Sequence, residues 1–292
     1  MTDFRPGRFQ VLPTLVKNLI IINVIMVIAQ YVLGNAFHID LSEWLGLHYW
    51  GSHYFHWWQL VTHMFMHGSY NDLNMTVMHI FFNMFALWMF GSILENVWGP
   101  KRFFVFYMVC GLGAALCHLA VIGYQFETIQ KAFAVYQTHP TVDQYDLFLQ
   151  QHVNSISPGL KGLRDFWVKN PDCGNCAETS KVLLNTYLHG GVDKFGVFQP
   201  GIFDEATVGA SGAVFGVLFA FGYLFPNTLL YFYFLVPIKA KWVVAAYALI
   251  ELYSGIQNSA GDNVAHFAHL GGMLFAFILL RIWNKRNRND FY

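Results

Sequence analysis

The chain contains several windows of about 20 consecutive apolar residues, the length an α-helix needs to cross the hydrocarbon core of a bilayer. No other feature restricts the fold as strongly. In hydrocarbon every backbone N–H and C=O must find its partner inside the protein, so such segments are helices. Six spans are expected, at about Leu15–Leu33, Thr76–Val97, Phe103–Tyr124, Val208–Phe225, Trp242–Ile256 and Val264–Trp283, the fifth helped by the apolar residues ahead of Pro237. Composition agrees: 55% of residues are hydrophobic and only 12% charged, against about 25% charged in soluble domains. A formal net charge of zero gives no reason to expect a nucleic-acid partner. The environment the chain calls for is the lipid bilayer. Arg5 and Arg8 precede the first apolar run and no small-residue cleavage site follows it, so no cleavable signal peptide is expected.

The fold class is therefore an all-α membrane protein with six transmembrane helices. Residues 1–14 form an amino-terminal tail, 15–124 carry spans 1–3, 201–283 carry spans 4–6, and 284–292 form a carboxy-terminal tail. Residues 34–70 are too broken to span. They are crowded with Trp44, Trp50, Trp57 and Trp58, side chains that favour the headgroup zone, so this first outer loop lies in the interface. With the amino terminus inside, Arg5, Arg8, Lys17, Lys101, Arg102, Lys239, Lys241, Arg281, Lys285, Arg286 and Arg288 all face the cytoplasm, whereas the first outer loop and the short loop around Asp262 carry no Lys or Arg. Both termini are then cytoplasmic, in the cell's inner membrane. The other basic residues lie in residues 125–200, a polar insertion between helices 3 and 4. It contains short amphipathic stretches at Asp143–Val153 and Ser180–Leu188, and Pro158-Gly159 and Pro171 break its pattern. Cys110 and Cys117 read as packing residues. Cys173 and Cys176 read as a local disulfide or two free thiols, because a structural zinc site needs a second pair of ligands nearby.

Ser211, His269, His79 and Asn83 lie on three different spans, yet this topology puts them at one depth near the outer surface. A hydroxyl becomes a nucleophile when a base removes its proton, and histidine is the usual base. Donors aimed at the developing oxyanion are worth about 2.7–4 kcal/mol each in a dry site, and His79, Asn83 and the Ser211 backbone N–H can supply them. No acidic residue is expected beside His269, so the arrangement reads as a dyad. The small residues Gly212, Gly216 and Ala220 on span 4 face Ala265, Gly272 and Ala276 on span 6, spacing that lets membrane helices touch backbone to backbone. Phe215, one turn after Ser211, is placed to stack on the imidazole of His269.

Each residue also has a plainer use. Serine in a membrane helix commonly bonds back to its own helix, histidine can bridge helices, asparagine can pack, and glycine stripes mostly serve packing. Glu95 is expected to hold loop backbone. His63 and His67 have metal-ligand spacing but sit in the interfacial loop with His48, His53 and His56, where hydrogen bonding is the commoner use. No His-Glu-x-x-His zinc motif occurs.

Taken together, the segments His63-Met64-Phe65-Met66-His67, His79-Ile80-Phe81-Phe82-Asn83-Met84, Gly209-Ala210-Ser211-Gly212 and Ala268-His269-Leu270-Gly271-Gly272 resemble the rhomboid family of intramembrane serine proteases. The resemblance implies a six-helix rhomboid-like bundle. It implies Ser211 as nucleophile and His269 as base, with His79, Asn83, Gly209, Phe215 and Gly272 in supporting roles and no metal or cofactor. It implies substrates that are transmembrane proteins, cut within or beside a membrane helix, with the fifth span and outer loop as the gate. Three departures stand out. Phe215 occupies a position that is often tyrosine in the family. Trp58-Gln59 stands where a Trp-Arg pair is common. The insertion lies outside the pattern altogether. The competing readings are an inactive rhomboid-like protein that binds or escorts membrane clients, and a small transporter. The apolar stretches Val217–Phe225 and Leu274–Leu280 argue against a polar passage.

Overall fold

A computed structural model describes residues 9–153, 156–192, 198–232, 236–257 and 265–289. Residues 1–8 with Arg5 and Arg8, the loop around Asp262, Val264 at the start of the sixth expected span, and residues 290–292 lie outside the described residues. The helices run in the order α1 Thr14–Phe37, α2 Leu41–Leu45, α3 Gln59–Thr62, α4 Leu73–Ala86, α5 Ser92–Trp98, α6 Pro100–Thr138, α7 Val142–His152, α8 Pro158–Lys169, α9 Cys176–His189, α10 Ser211–Leu224, α11 Ala240–Gln257 and α12 His266–Asn289. Two short antiparallel ribbons join them: β1 Gly191–Val192 with β2 Phe198–Gln199, and β3 Leu229–Phe232 with β4 Val236–Lys239.

Among the described residues, four helical stretches are long and apolar enough to cross a membrane: Thr14–Phe37, Leu73–Trp98, Pro100–Thr138 and His266–Asn284. The second combines α4 and α5 through a π-helical turn at Leu87–Gly91. These helices turn apolar side chains outward. On α1, Ile21, Ile22, Ile25, Ile28 and Val32 are exposed while the polar Asn23 and Gln30 are buried, the reverse of a soluble helix and the arrangement a lipid surround favours. Both of these side chains have partners. Asn23 Oδ1 is 2.8 Å from His67 Nε2, and Gln30 Nε2 donates to Gly68 O at 2.8 Å. Glu95 accepts from the backbone N–H groups of Leu15 and Val16 at 2.9 and 2.8 Å, fixing the start of α1 as expected of it.

The centre of the bundle is α6, α10 and α12, packed through small residues. A Cβ added to Gly272 would overlap the carbonyl oxygen of Gly212, and one added to Gly216 would lie 2.7 Å from Cys110 Cβ. The α10–α12 stripe expected from spacing is thus extended to a third helix, where Cys110 and Cys117 fill the seams as packing residues. Large side chains such as Phe103, Phe106, Tyr107, Leu94 and Phe221 close the other end of this core.

The structure refines three expectations. The third helix does not end near Tyr124. No breaker follows, so α6 continues to Thr138, 39 residues or roughly 60 Å, and its last turns support the insertion. Pro158 does mark a break, since α7 ends at His152, and it also starts α8. Ser157 accepts from Leu160 N as the N-cap, and a proline at the first helical position has no N–H to waste. Of the apolar residues ahead of Pro237, Leu229–Phe232 and Val236 do not lengthen the helix of the fifth span; they belong to the β3–β4 ribbon. The insertion has a core of its own, built on Phe133, Tyr136, Tyr145, Phe148, Leu160, Trp167 and Leu184. Cys173 and Cys176 are disulfide-bonded at the start of α9.

Candidate active site

Ser211 is the first residue of α10. That helix has 14 residues and so spans only about 21 Å, less than the roughly 30 Å of hydrocarbon. Non-helical backbone precedes it. Such backbone survives at membrane depth only when protein satisfies it. Here residues 46–63 do so. Leu47 and Thr207 exchange backbone bonds at 2.9 and 2.8 Å, and Gly209 N donates to His63 O at 2.9 Å. His63 in turn donates from Nδ1 to Gln59 O at 2.7 Å. Burial pushes the His63 imidazole down to about 4, which keeps it neutral beside the site.

His269, in the first turns of α12, places Nε2 2.8 Å from Ser211 Oγ. The ring of Phe215 lies parallel to the imidazole, 4.1 Å between centroids and 6° between planes. The residue thus provides the stacking face expected of it. Gly272 sits one turn below His269, against Gly212, and its lack of a side chain allows the serine and histidine helices this approach. The unbonded N–H groups of the first α10 turn point out of the helix end beside Ser211, and the helix dipole favours negative charge there.

Gly209 has φ +135°, a conformation L side chains rarely adopt, and a Cβ there would be 3.0 Å from His79 Nε2 and 3.4 Å from Ser211 Oγ. His79 therefore borders the serine across Gly209. It is held edge-on to His67, 5.0 Å between ring centroids. Asn83, one turn further along α4, is buried and donates from Nδ2 to His79 O at 2.9 Å. That uses one of its two amide hydrogens within its own helix. Beside Ser211 a cavity of about 20 Å³, lined in part by His63, His118, Thr207 and Ala268, has room for one water. His118 Nε2 lies 2.7 Å from Thr207 Oγ1 at its wall.

The expectation of no acidic residue beside His269 is overturned. Glu251 on α11 brings Oε2 within 2.9 Å of His269 Nδ1 and 2.7 Å of His266 Nδ1. The His269 contact is close but poorly aligned, and Nδ1 makes no hydrogen bond of good geometry. The signal was present in the sequence. A carboxylate amid Leu249, Ile250, Leu252 and Tyr253 is costly in lipid unless partnered, and the expected topology puts it near the same surface as His269. The contact depends on how α11 turns against α12, which residue spacing along the chain does not specify. The donor atoms of Glu251, His266 and His269 all fall within 4.8 Å of one another, a set chemically able to hold a metal ion.

Of the histidines in residues 34–70, His48 and His63 bond within that stretch, while His67 reaches Asn23 on α1. His48 Nδ1 is 3.1 Å from Gly46 O. Gln59 is fully buried at the loop's centre. Its Oε1 accepts from His48 N and His56 N at 3.3 and 3.1 Å, and its Nε2 donates to Tyr54 O at 2.8 Å.

Residues 54–128 and 177–286 match the family model described as Rhomboid domain. The unmatched stretch between them falls in the insertion. The chain is 26% identical to an uncharacterized mitochondrial rhomboid protein of Schizosaccharomyces pombe over 238 residues, 79% of this chain and 53% of the relative. It thus spans about half the length of that curated relative. No solved structure matches the chain.

Proposed function

The chain belongs to the rhomboid family, and from that premise we propose that it is an intramembrane serine endopeptidase, with Ser211 as nucleophile and His269 as base. The observation that carries the reading is the 2.8 Å separation of Ser211 Oγ and His269 Nε2. In the first step Ser211 Oγ bonds to the scissile carbonyl carbon while its proton passes to His269 Nε2. The carbonyl oxygen becomes an oxyanion, met by the N–H groups at the start of α10 with His79 and Asn83 as further donors. Collapse of this intermediate breaks the C–N bond, and the imidazolium gives its proton to the leaving amine. Water then attacks the acyl-serine with His269 as base, releasing the acid and restoring Ser211. The one-water cavity beside Ser211 is a suitable waiting place for that water.

The substrates are membrane proteins cut within or beside a transmembrane helix. A helix hides its carbonyls in hydrogen bonds, so the scissile segment must unwind, and helix-breaking residues near the bond favour cutting. The proposed topology has six crossings, with α10 and α11 as the fourth and fifth. Both termini are cytoplasmic, and the recessed site opens to the extracytoplasmic side of the cell's inner membrane. Residues 34–70 form the interfacial loop and 125–200 an extracytoplasmic folded unit. A disulfide in that unit fits an oxidising compartment.

The test is cleavage of a fluorogenic transmembrane substrate by the purified full-length chain in lipid, with labelling by a fluorophosphonate probe. Ser211→Ala should lower kcat by at least about 10³-fold and abolish labelling. Undiminished cleavage by that variant would defeat the reading.

A further inference from the structure

We infer that Glu251 is a positioning residue for His269: its carboxylate, carried on α11, holds the imidazole through Nδ1–H so that the lone pair of Nε2 faces Ser211. The inference rests on the peptidase reading above and deepens it. Family resemblance supplies a serine and a histidine, whereas the third group comes from the seat of α11 beside α12.

The argument starts from cost. Leu249, Ile250, Leu252 and Tyr253 are 43–66% exposed along α11, yet Glu251 is 8% exposed. An ionised carboxylate inside such a helix persists only with hydrogen-bonding partners. Its Oε2 has two candidates, His266 Nδ1 at 2.7 Å and His269 Nδ1 at 2.9 Å. A carboxylate only accepts, so His266 Nδ1 donates to it, and the ring proton of His269 is assigned likewise to Nδ1, which lies in range of Oε2. For His269 this has one consequence. With the proton on Nδ1, the free lone pair is on Nε2, the atom 2.8 Å from Ser211 Oγ. The opposite tautomer would present N–H to the serine and could not take its proton.

The arrangement also answers the next step. When Ser211 gives its proton to Nε2, the imidazole becomes a cation in a low-dielectric site. Glu251 faces that charge across the ring and stabilises it while keeping no proton itself. Phe215 fixes the ring plane and Glu251 fixes rotation within it, so the two constraints are complementary. His266 steadies the carboxylate from the side away from Ser211. The poor alignment at His269 Nδ1 is a resting geometry, since contacts of this kind commonly tighten when substrate enters. The serine, histidine and glutamate reside on α10, α12 and α11, so the seat of α11 against α12 sets the base.

The experiment uses the full chain in lipid and two readouts. In Glu251→Gln, kcat should fall by about 10²-fold or more with KM within about threefold, because tautomer control acts on chemistry and not on substrate binding. In the unmutated protein, nitrogen-15 NMR of ring-labelled histidine, assigned against a His269→Gln sample, should show His269 protonated on Nδ1. The second readout needs no variant at position 251 and so stands if Glu251→Gln fails to fold. A folded Glu251→Gln protein with parental kcat overturns the inference. So does an Nε2–H tautomer, which is also what a metal held by Glu251, His266 and His269 Nδ1 would produce. Parental protein without Ser211-dependent cleavage sinks the peptidase reading instead, and the NMR result still reports on Glu251.

Discussion

Gly272 and Gly212 touch through their backbones, and no side chain larger than hydrogen fits between them on the Gly272 side. This contact lies one turn from His269 and one residue from Ser211, so the spacing of α10 and α12 there sets the Ser211–His269 distance. Gly272→Ala forces the helices apart. Overpacking of this kind costs about 1–3 kcal/mol, and a displacement of about 1 Å at reacting groups costs about 10²-fold in rate. Gly272→Ala should therefore lower kcat/KM by about 10²-fold and lower the thermal midpoint in lipid. Gly162→Ala is the control. A Cβ there meets nothing within 4 Å on α8, so activity should be unchanged. Equal activity of Gly272→Ala and parent would show that the contact does not control the site.

Phe215 contributes to His269 only through its ring face. An aromatic stack is worth about 0.5–1.5 kcal/mol beyond burial, so Phe215→Leu should lower kcat about 2- to 10-fold with little change in KM. Phe215→Tyr keeps the stack and should stay within about twofold of the parent. Steady-state kinetics of the two variants separate ring orientation from mere volume. If leucine performs as well as tyrosine, packing alone explains the residue.

How much of this was legible in advance depended on where the information lay. The spans followed from runs of apolar residues, because hydrocarbon admits little else, and Ser211, His269 and Phe215 were legible because each sits at a helical spacing from small residues that must touch. Glu251 was harder. Its meaning depends on how α11 turns against α12, and nothing local to it specifies that rotation. The run of α6 to Thr138 was missed for a similar reason, since a helix leaving the membrane changes its composition without changing its backbone. Pro158 reads as a break in the helical pattern, and only the serine before it shows that a new helix starts there. Gln59 was seen only as a missing arginine; its bonds reach back to residues 48 and 54, which spacing does not show.

That glutamine carries a prediction. Gln59 is fully buried and ties the backbone N–H groups of His48 and His56 to the carbonyl of Tyr54. The same loop holds Gly209 through His63 O. Gln59→Ala leaves those backbone groups without their partner, at about 1–3 kcal/mol for each that stays buried. Gln59→Glu keeps the acceptor and removes the donor to Tyr54, so it should cost less than alanine. The measurements are unfolding in a detergent series and limited proteolysis across residues 41–58, with earlier cutting expected in the alanine variant. A loop equally resistant in Gln59→Ala and parent would mean that other contacts hold it.

The disulfide makes a contrasting case, because its effect should stay local. Cys173 and Cys176 are three residues apart, and closing so short a loop restrains the unfolded chain by only about 2 kcal/mol. Cys176 is 2% exposed in the insertion's own core, with Leu184, Trp167 and Tyr145, while the α10–α12 contact is built on glycines of the bundle. Paired Cys173→Ser and Cys176→Ser substitution should therefore loosen α8 and α9 by about that amount. Hydrogen exchange should rise across residues 158–189 and stay unchanged in α10 and α12. Alkylation with mass analysis of the parent should find these two thiols protected until reductant is added. Exchange spreading into α12 would show that the insertion and the bundle unfold as one unit, and the local account of the disulfide would then be wrong.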